Sequence, residues 1–190
     1  MNAEIDITGI TLTTGRLTLR PWRKSDIDDF YEYASVEGVG EMAGWAHHRS
    51  KDETQAILDM FIEGRKTFAI EHEGKVIGSL GIEMYDERLL PQLSDKQGRE
   101  LGFVLSKAYW GRGLTPEAVN EVIRWLFDEQ GLDFIVCRHF ADNAQSKRVQ
   151  QKCGFKFIKY SKYKTTYGEV KTDHVNLLLK SEYTKKSEEA

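Results

Sequence analysis

Residues 100–139 constrain this chain more than any other stretch. Residues 100–105 (Glu-Leu-Gly-Phe-Val-Leu) read as a strand, and residues 107–114 turn through Gly111 and Gly113. The strongest helix of the chain then begins at Thr115. Pro116 falls at the first helical position, where a missing N–H costs nothing. Ala118, Val119, Val122, Ile123, Leu126 and Phe127 recur at helical spacing, and Gly131 ends the run. Residues 134–139 are an apolar strand. Strand, helix and strand in so short a span predict a crossover between two parallel neighbours.

The flanking segments supply antiparallel partners. Residues 16–20 read as a strand with Leu17 and Leu19 on one face and Thr18 on the other. Ser25 is placed to cap a helix carrying Ile27, Phe30, Tyr31 and Ala34. Residues 37–50 look irregular, and a second helix runs from Lys51 to about Glu63, with Ala56, Ile57, Met60 and Phe61 on one stripe and Gly64 just beyond. Residues 67–72 and 76–85 form a hairpin through Glu73-Gly74. The polar stretch 86–98 is longer than most connections, which suggests a functional loop. A short helix over 143–153 stops at Gly154, and strands over 155–163 and 170–179 close the chain through Tyr167-Gly168. The prediction is an α/β (α+β) sandwich on a mixed sheet, antiparallel at both ends and parallel in the middle.

With 190 residues and no Pro/Gly/Ser-rich linker, one domain over residues 1–190 is expected. Its ends, about 1–13 and 182–190, have too little apolar surface to offset ordering entropy and should fray. A net charge of −3 argues against a general nucleic-acid binder. Cys137 and Cys153 stand far apart without a CxxC pair, so neither a disulfide scaffold nor a zinc module is expected, and a reducing compartment fits. His47 and His48 have no carboxylate or cysteine at ligand spacing, so no metal is expected. The first residues lack the basic and apolar regions of a signal peptide, and no apolar run approaches the ~20 residues that span a bilayer. Cytoplasmic location without membrane contact follows.

Two features point to chemistry. At Gly111-Arg112-Gly113 the backbone can turn its N–H groups inward just before a helix N-terminus, which makes an anion site shaped for a diphosphate, with Arg112 able to add charge. Taken alone, Gly-x-Gly is equally well a tight turn. It is neither a Walker A loop nor a dinucleotide fingerprint. Further on, Asn143, Ser146, Val149, Gln150 and Cys153 share one helix face. That face is too polar for a core stripe and suits the wall of a crevice. Asn143 also reads as an N-cap, and Cys153 as a small buried hydrophobe.

Glu100-Leu-Gly-Phe-Val-Leu, Trp110-Gly-Arg-Gly-Leu-Thr-Pro-Glu-Ala and Asn143-Ala-Gln-Ser146 with Lys152-Cys-Gly-Phe155, in that order, resemble the GNAT N-acetyltransferases. More narrowly they resemble the RimJ/RimL-type branch, which acetylates protein N-termini, ribosomal proteins among them. The resemblance runs from Thr14 to the final hairpin. It implies a three-layer sandwich with a mostly antiparallel sheet of about seven strands, and acetyl-CoA as donor. The diphosphate would lie on the turn formed by Trp110, Gly111, Arg112, Gly113, Leu114 and Thr115. The pantetheine arm would pair with Phe103, Val104 and Leu105 and meet Asn143 and Ser146. The acetyl group would then sit between Glu100 and Ser146.

Amine attack on the thioester needs a base, an oxyanion donor and an acid for the thiolate. Under the resemblance Glu100 is the base, through a water, with Glu83 as second choice. A backbone N–H of residues 103–105 polarises the carbonyl. Many members carry Tyr as the acid where this chain has Gln150, which cannot serve, so the role passes to Ser146. Trp45, Glu83 and Tyr85 are candidate acceptor contacts, as are Arg49, residues 86–98, Tyr167, Asp173 and His174. The implied acceptor is an amine, foremost the α-amine of a ribosomal or other protein. The alternatives are a small amine (an aminoglycoside, polyamine or amino-acid derivative) and a non-catalytic CoA-binding module. The resemblance also admits a homodimer.

Overall fold

A computed structural model describes residues 1–183. Among the described residues, eight strands form one sheet in the order β1-β2-β3-β4-β5-β6-β8-β7. They are β1 (Leu12–Thr13), β2 (Thr18–Pro21), β3 (Thr67–His72), β4 (Lys75–Glu83), β5 (Gly98–Leu105), β6 (Phe134–Phe140), β7 (Lys156–Lys164) and β8 (Val170–Leu179). Only β5 and β6 are parallel. The mixed sheet with its central parallel pair is the architecture expected. The count is eight rather than about seven because β1, two residues paired to Leu19 and Thr18, is too short to show a period.

The two faces are covered by α1 (Ile27–Ala34), α2 (Lys51–Gly64), α3 (Leu114–Arg124) and α4 (Ala144–Lys152). Alternation along β3 sorts the layers. Phe68 and Ile70 pack with Ala118, Val119, Val122 and Ile123 of α3, whereas Ala69 packs with Phe30 and Ala34 of α1 and Leu58 of α2. The anticipated α3 stripe is buried throughout, and it runs on through a π-helical turn, Trp125–Glu129. This helix starts at Leu114, so Pro116 is its third residue, still within the turn whose N–H groups have no intrahelical acceptor.

Several local expectations are corrected. Ser25 caps nothing: it lies in a 3₁₀ turn, Lys24–Asp26, and the N-cap position of α1 is held by Asp26, whose side chain bonds backwards along the chain rather than to the helix. Asp26 accepts from Arg23 N at 2.8 Å and pairs with Arg20 through bonds of 2.8 and 2.9 Å. On α2 the buried positions are Thr54 and Leu58, and Met60 is 58% exposed. A hydrogen bond of 2.8 Å between Thr54 Oγ1 and His48 Nδ1 holds the helix in that rotation.

The first thirteen residues, expected to fray, pack against the sheet. Ile7 is 1% exposed, and Asn2 pairs beside Gly98. The Met1 amine donates to Lys96 O at 2.6 Å and to Tyr85 Oη at 3.0 Å. The stretch 86–97 is a cover rather than a free loop: Leu90 is buried with Tyr85, Phe134, Val136 and Val175. Of the far end expected to fray, residues 184–190 lie outside the described residues, whereas Tyr183 packs on Phe127.

Candidate functional site

The parallel pair creates the site by failing to stay paired. Rungs from Gly98–Phe134 to Leu101–Cys137 join β5 to β6 and then stop. Beyond them β5 follows β4 to Leu105, and β6 follows β8 to Phe140. A wedge therefore opens at the carboxyl ends of two parallel strands, where α/β sheets characteristically bind ligands. A cavity of about 570 Å³ fills it. Residues 101–105 of β5 form one wall, residues 137–140 of β6 another, and the polar face of α4 a third.

At one end lies the glycine turn. Gly111 and Gly113 both have φ of +77°, a conformation costly for residues with a Cβ. Among the described residues, the N–H groups of Gly111, Arg112, Gly113, Leu114 and Thr115 donate to no protein acceptor. Five consecutive amides are thus available beside the positive end of α3. The turn is braced from behind. Arg16 donates to Arg112 O at 3.0 Å, and its own Nε donates to Glu117 at 2.7 Å. Trp110 Nε1 donates to Leu105 O at 2.8 Å, tying the turn to β5. Arg112 itself is exposed, stacks over Tyr109 at 5.1 Å and does not line the cavity. Arg148 and Lys152 of α4 do line it, and among the described residues neither pairs with a carboxylate.

At the other end stand Glu100, Glu83, Asp173, Arg138 and Tyr163. Burial raises the Glu100 carboxyl to about 7, with Arg138 opposing and Asp173 and Glu83 reinforcing the rise. Arg138 Nη1 is 4.0 Å from Glu100 Oε2, and its Nε donates to Asp173, whose side chain is 1% exposed. The guanidinium lies 5.3 Å from the Tyr163 ring centre. Glu83 pairs with Lys66. Burial also pushes the Cys137 thiol well up and the His139 imidazole down, so both stay neutral.

On α4, Asn143 caps the helix, accepting from Ser146 N at 3.0 Å, and donates to Met42 O at 3.1 Å. Ser146 lies on the cavity, and its Oγ accepts from Gln150 at 3.1 Å. The cavity brings together Glu100, Ser146, Asn143, Glu83, residues 103–105, Trp110, Gly111, Gly113, Leu114 and Thr115.

It does not include Trp45 or Tyr85. Trp45 lies 5.1 Å from His48 on the α1–α2 side, and Tyr85 is 3% exposed beside Phe134. Tyr85 is closed to an acceptor there, whereas Trp45 is half-buried outside the cavity. Arg138, Tyr163, Arg148 and Lys152 escaped the sequence reading. The one available signal was that Arg138 lies near the carboxyl end of the strand expected over residues 134–139.

A family model described as an acetyltransferase (GNAT) domain matches residues 16–156. The uncharacterized N-acetyltransferase p20 of Bacillus licheniformis is 29% identical over 182 residues, spanning 91% of this chain and 98% of that protein. The microcin C7 self-immunity acetyltransferase MccE, solved with acetyl-CoA and AMP, is 15% identical and superimposes with a TM-score of 0.73 over 87% of this chain and 93% of its own. A structure from Vibrio cholerae, provisionally described as a ribosomal-protein-serine acetyltransferase, is 17% identical and has a TM-score of 0.73 over 92% of this chain and 99% of its own.

Proposed function

The chain belongs to the GNAT acetyltransferases and is an acetyl-CoA-dependent N-acyltransferase, and from that premise we propose that its acceptor is a peptide or protein N-terminal α-amine. The observation that carries the site assignment is the run of five unbonded amides from Gly111 to Thr115, continuous through the wedge with Glu100. A diphosphate fits those amides, with Arg148 and Lys152 across the cavity. The open edge of residues 103–105 offers a strand-like partner for the pantetheine arm. Asn143 reaches that arm only through whatever hydrogen-bonding capacity its cap leaves.

Glu100 serves as the base. With its pKa raised to about 7, it is basic enough to accept a proton and still ionised in half the molecules at neutral pH. As the amine nitrogen bonds to the acetyl carbon, Glu100 takes the amine proton through a water. A backbone N–H of residues 103–105 polarises the carbonyl. Ser146 hands its hydroxyl proton to the sulfur as the C–S bond breaks, and solvent replenishes it. Net, one proton passes from amine to thiol.

The acceptor end supports a single amine on an otherwise uncharged body. Binding a polycation would need several free carboxylates, but Glu83 is paired with Lys66, Asp173 with Arg138, and Asp86 with Arg88 at 2.9 Å. Glu87 accepts from Asn2 N at 3.0 Å. Of the two that lack a cation closer than 4.0 Å among the described residues, Glu87 and Glu100, Glu100 is the one that lines the cavity. Mixing the pure protein with acetyl-CoA and matched panels of peptides, aminoglycosides and polyamines, and following free thiol, tests the reading. Turnover with N-terminal peptides only is the expected result; turnover confined to polyamines or aminoglycosides overturns it. A melting shift with CoA but no turnover on any amine leaves the non-catalytic module.

A further inference from the structure

We propose that Gln150 is a positioning residue that holds the Ser146 hydroxyl proton pointing into the cavity. The inference rests on reading Ser146 as the group that protonates the departing thiolate. It begins from an oddity: Gln150, on the inner side of α4, is 1% exposed, and burying a primary amide is costly unless all its groups are bonded.

They are bonded, and in one orientation only. The Gln150 Nε2 amide donates to Arg138 O at 3.1 Å and to Ser146 Oγ at 3.1 Å, which uses both of its protons. Its Oε1 accepts from Asn176 Nδ2 at 2.7 Å. Reversing the amide would set NH₂ against NH₂ at Asn176 and oxygen against oxygen at Arg138. Asn176, 6% exposed on β8, is anchored in turn by Cys137 O at 3.4 Å and His174 O at 3.3 Å.

The consequence falls on Ser146. A hydroxyl has one proton and two acceptor lone pairs, and here one lone pair is taken by Gln150. The Ser146 proton must therefore point away from the amide, and the neighbouring space on that side is the cavity. With its backbone N–H held by Asn143 Oδ1 at 3.0 Å, neither the Ser146 main chain nor its hydroxyl is left to choose. A carboxylate or carbonyl in place of the Gln150 NH₂ would do the reverse and draw the proton inward. An amide at this buried position cannot protonate a thiolate, but it can aim the hydroxyl that does.

The test is a double-mutant cycle on kcat, with the acetyl-CoA KM read alongside. Ser146→Ala alone tests the underlying reading, which fails if kcat is unchanged. Given a slowed Ser146→Ala, Gln150→Met, which keeps volume but donates nothing, should lower kcat about tenfold with KM for acetyl-CoA unmoved. In the Ser146→Ala background the same change should have no further effect. Asn176→Leu, outside the cavity lining, removes the donor that fixes the amide and should give an intermediate, equally non-additive loss. Losses that multiply, or a KM that rises with them, overturn the proposal and leave Gln150 as core packing. Should Gln150→Met fail to fold, as read by the acetyl-CoA melting shift, Asn176→Leu decides alone.

Discussion

Arg138 Nη1 stands 4.0 Å from Glu100 Oε2, while the Nε of the same guanidinium is held by the buried Asp173. Three groups from β5, β6 and β8 thus share their charges in the wedge where the parallel strands part. Desolvation lifts Glu100, Arg138 pulls it down, and Asp173 and Glu83 push it up again. The balance leaves a carboxyl that titrates near pH 7.

The activity should follow that balance. As the proposed base, Glu100 must be ionised, so kcat/KM should rise with pH through about 7 and level above it. Replacing Arg138 with Gln removes the one cation opposing the rise and moves the limb to higher pH by roughly one unit or more. Asp173→Asn moves it the other way. Initial-rate profiles from pH 5.5 to 9 read both shifts.

Stability should carry the same signature. The folded Glu100 pKa, about 7, lies above its ordinary value of 4.5, so protonation favours the fold. That contribution is complete below about pH 4.5 and is lost as pH climbs through 7. Glu100→Gln should melt above the wild type at pH 8, and the gap should narrow by pH 5. Calorimetry at the two pH values measures it.

Gly113→Ala should damage the turn proposed to hold the diphosphate, through backbone geometry alone. Its Cβ would meet nothing closer than Arg16 at 3.7 Å, so no clash contributes. The φ of +77° costs an L-residue about 1 kcal/mol, and relief of that strain turns the amides away. KM for acetyl-CoA should rise with kcat at saturation little changed, and the melting shift with CoA should shrink.

Ile7 should behave as a core residue despite its place near the chain start. At 1% exposure it packs in the same cluster as Phe68 and Trp125. Ile7→Ala should cost about 3 kcal/mol, readable by urea denaturation. A loss near zero would mean that the first thirteen residues fray after all.

Which elements could be read from the chain alone follows from the range of the interactions behind them. The crossover from β5 through the glycine turn to α3 and β6, the β3–β4 and β7–β8 hairpins and the Asn143 cap all depend on residues within a few turns of one another. Their periodicities and punctuation were visible for that reason. Ser25 failed as a cap because Asp26 beside it accepts from Arg23 N and pairs with Arg20, polar contacts that leave no mark in the hydrophobic period. Tyr85 failed as an acceptor contact because Phe134 and the Met1 amine enclose it.

The family motifs, read in order, pointed to the family this chain belongs to, since each of them, including the glycine turn proposed to hold a diphosphate, is written in consecutive residues. The proposed reacting end is different. Glu100, Arg138 and Asp173 come from three strands, and Ser146, Gln150 and Asn176 from a helix and a strand joined by hydrogen bonds. Such pairings depend on where the β5–β6 ladder stops and on how much water is excluded beyond it. No spacing along one segment encodes either quantity, because both arise only when separate strands pack together.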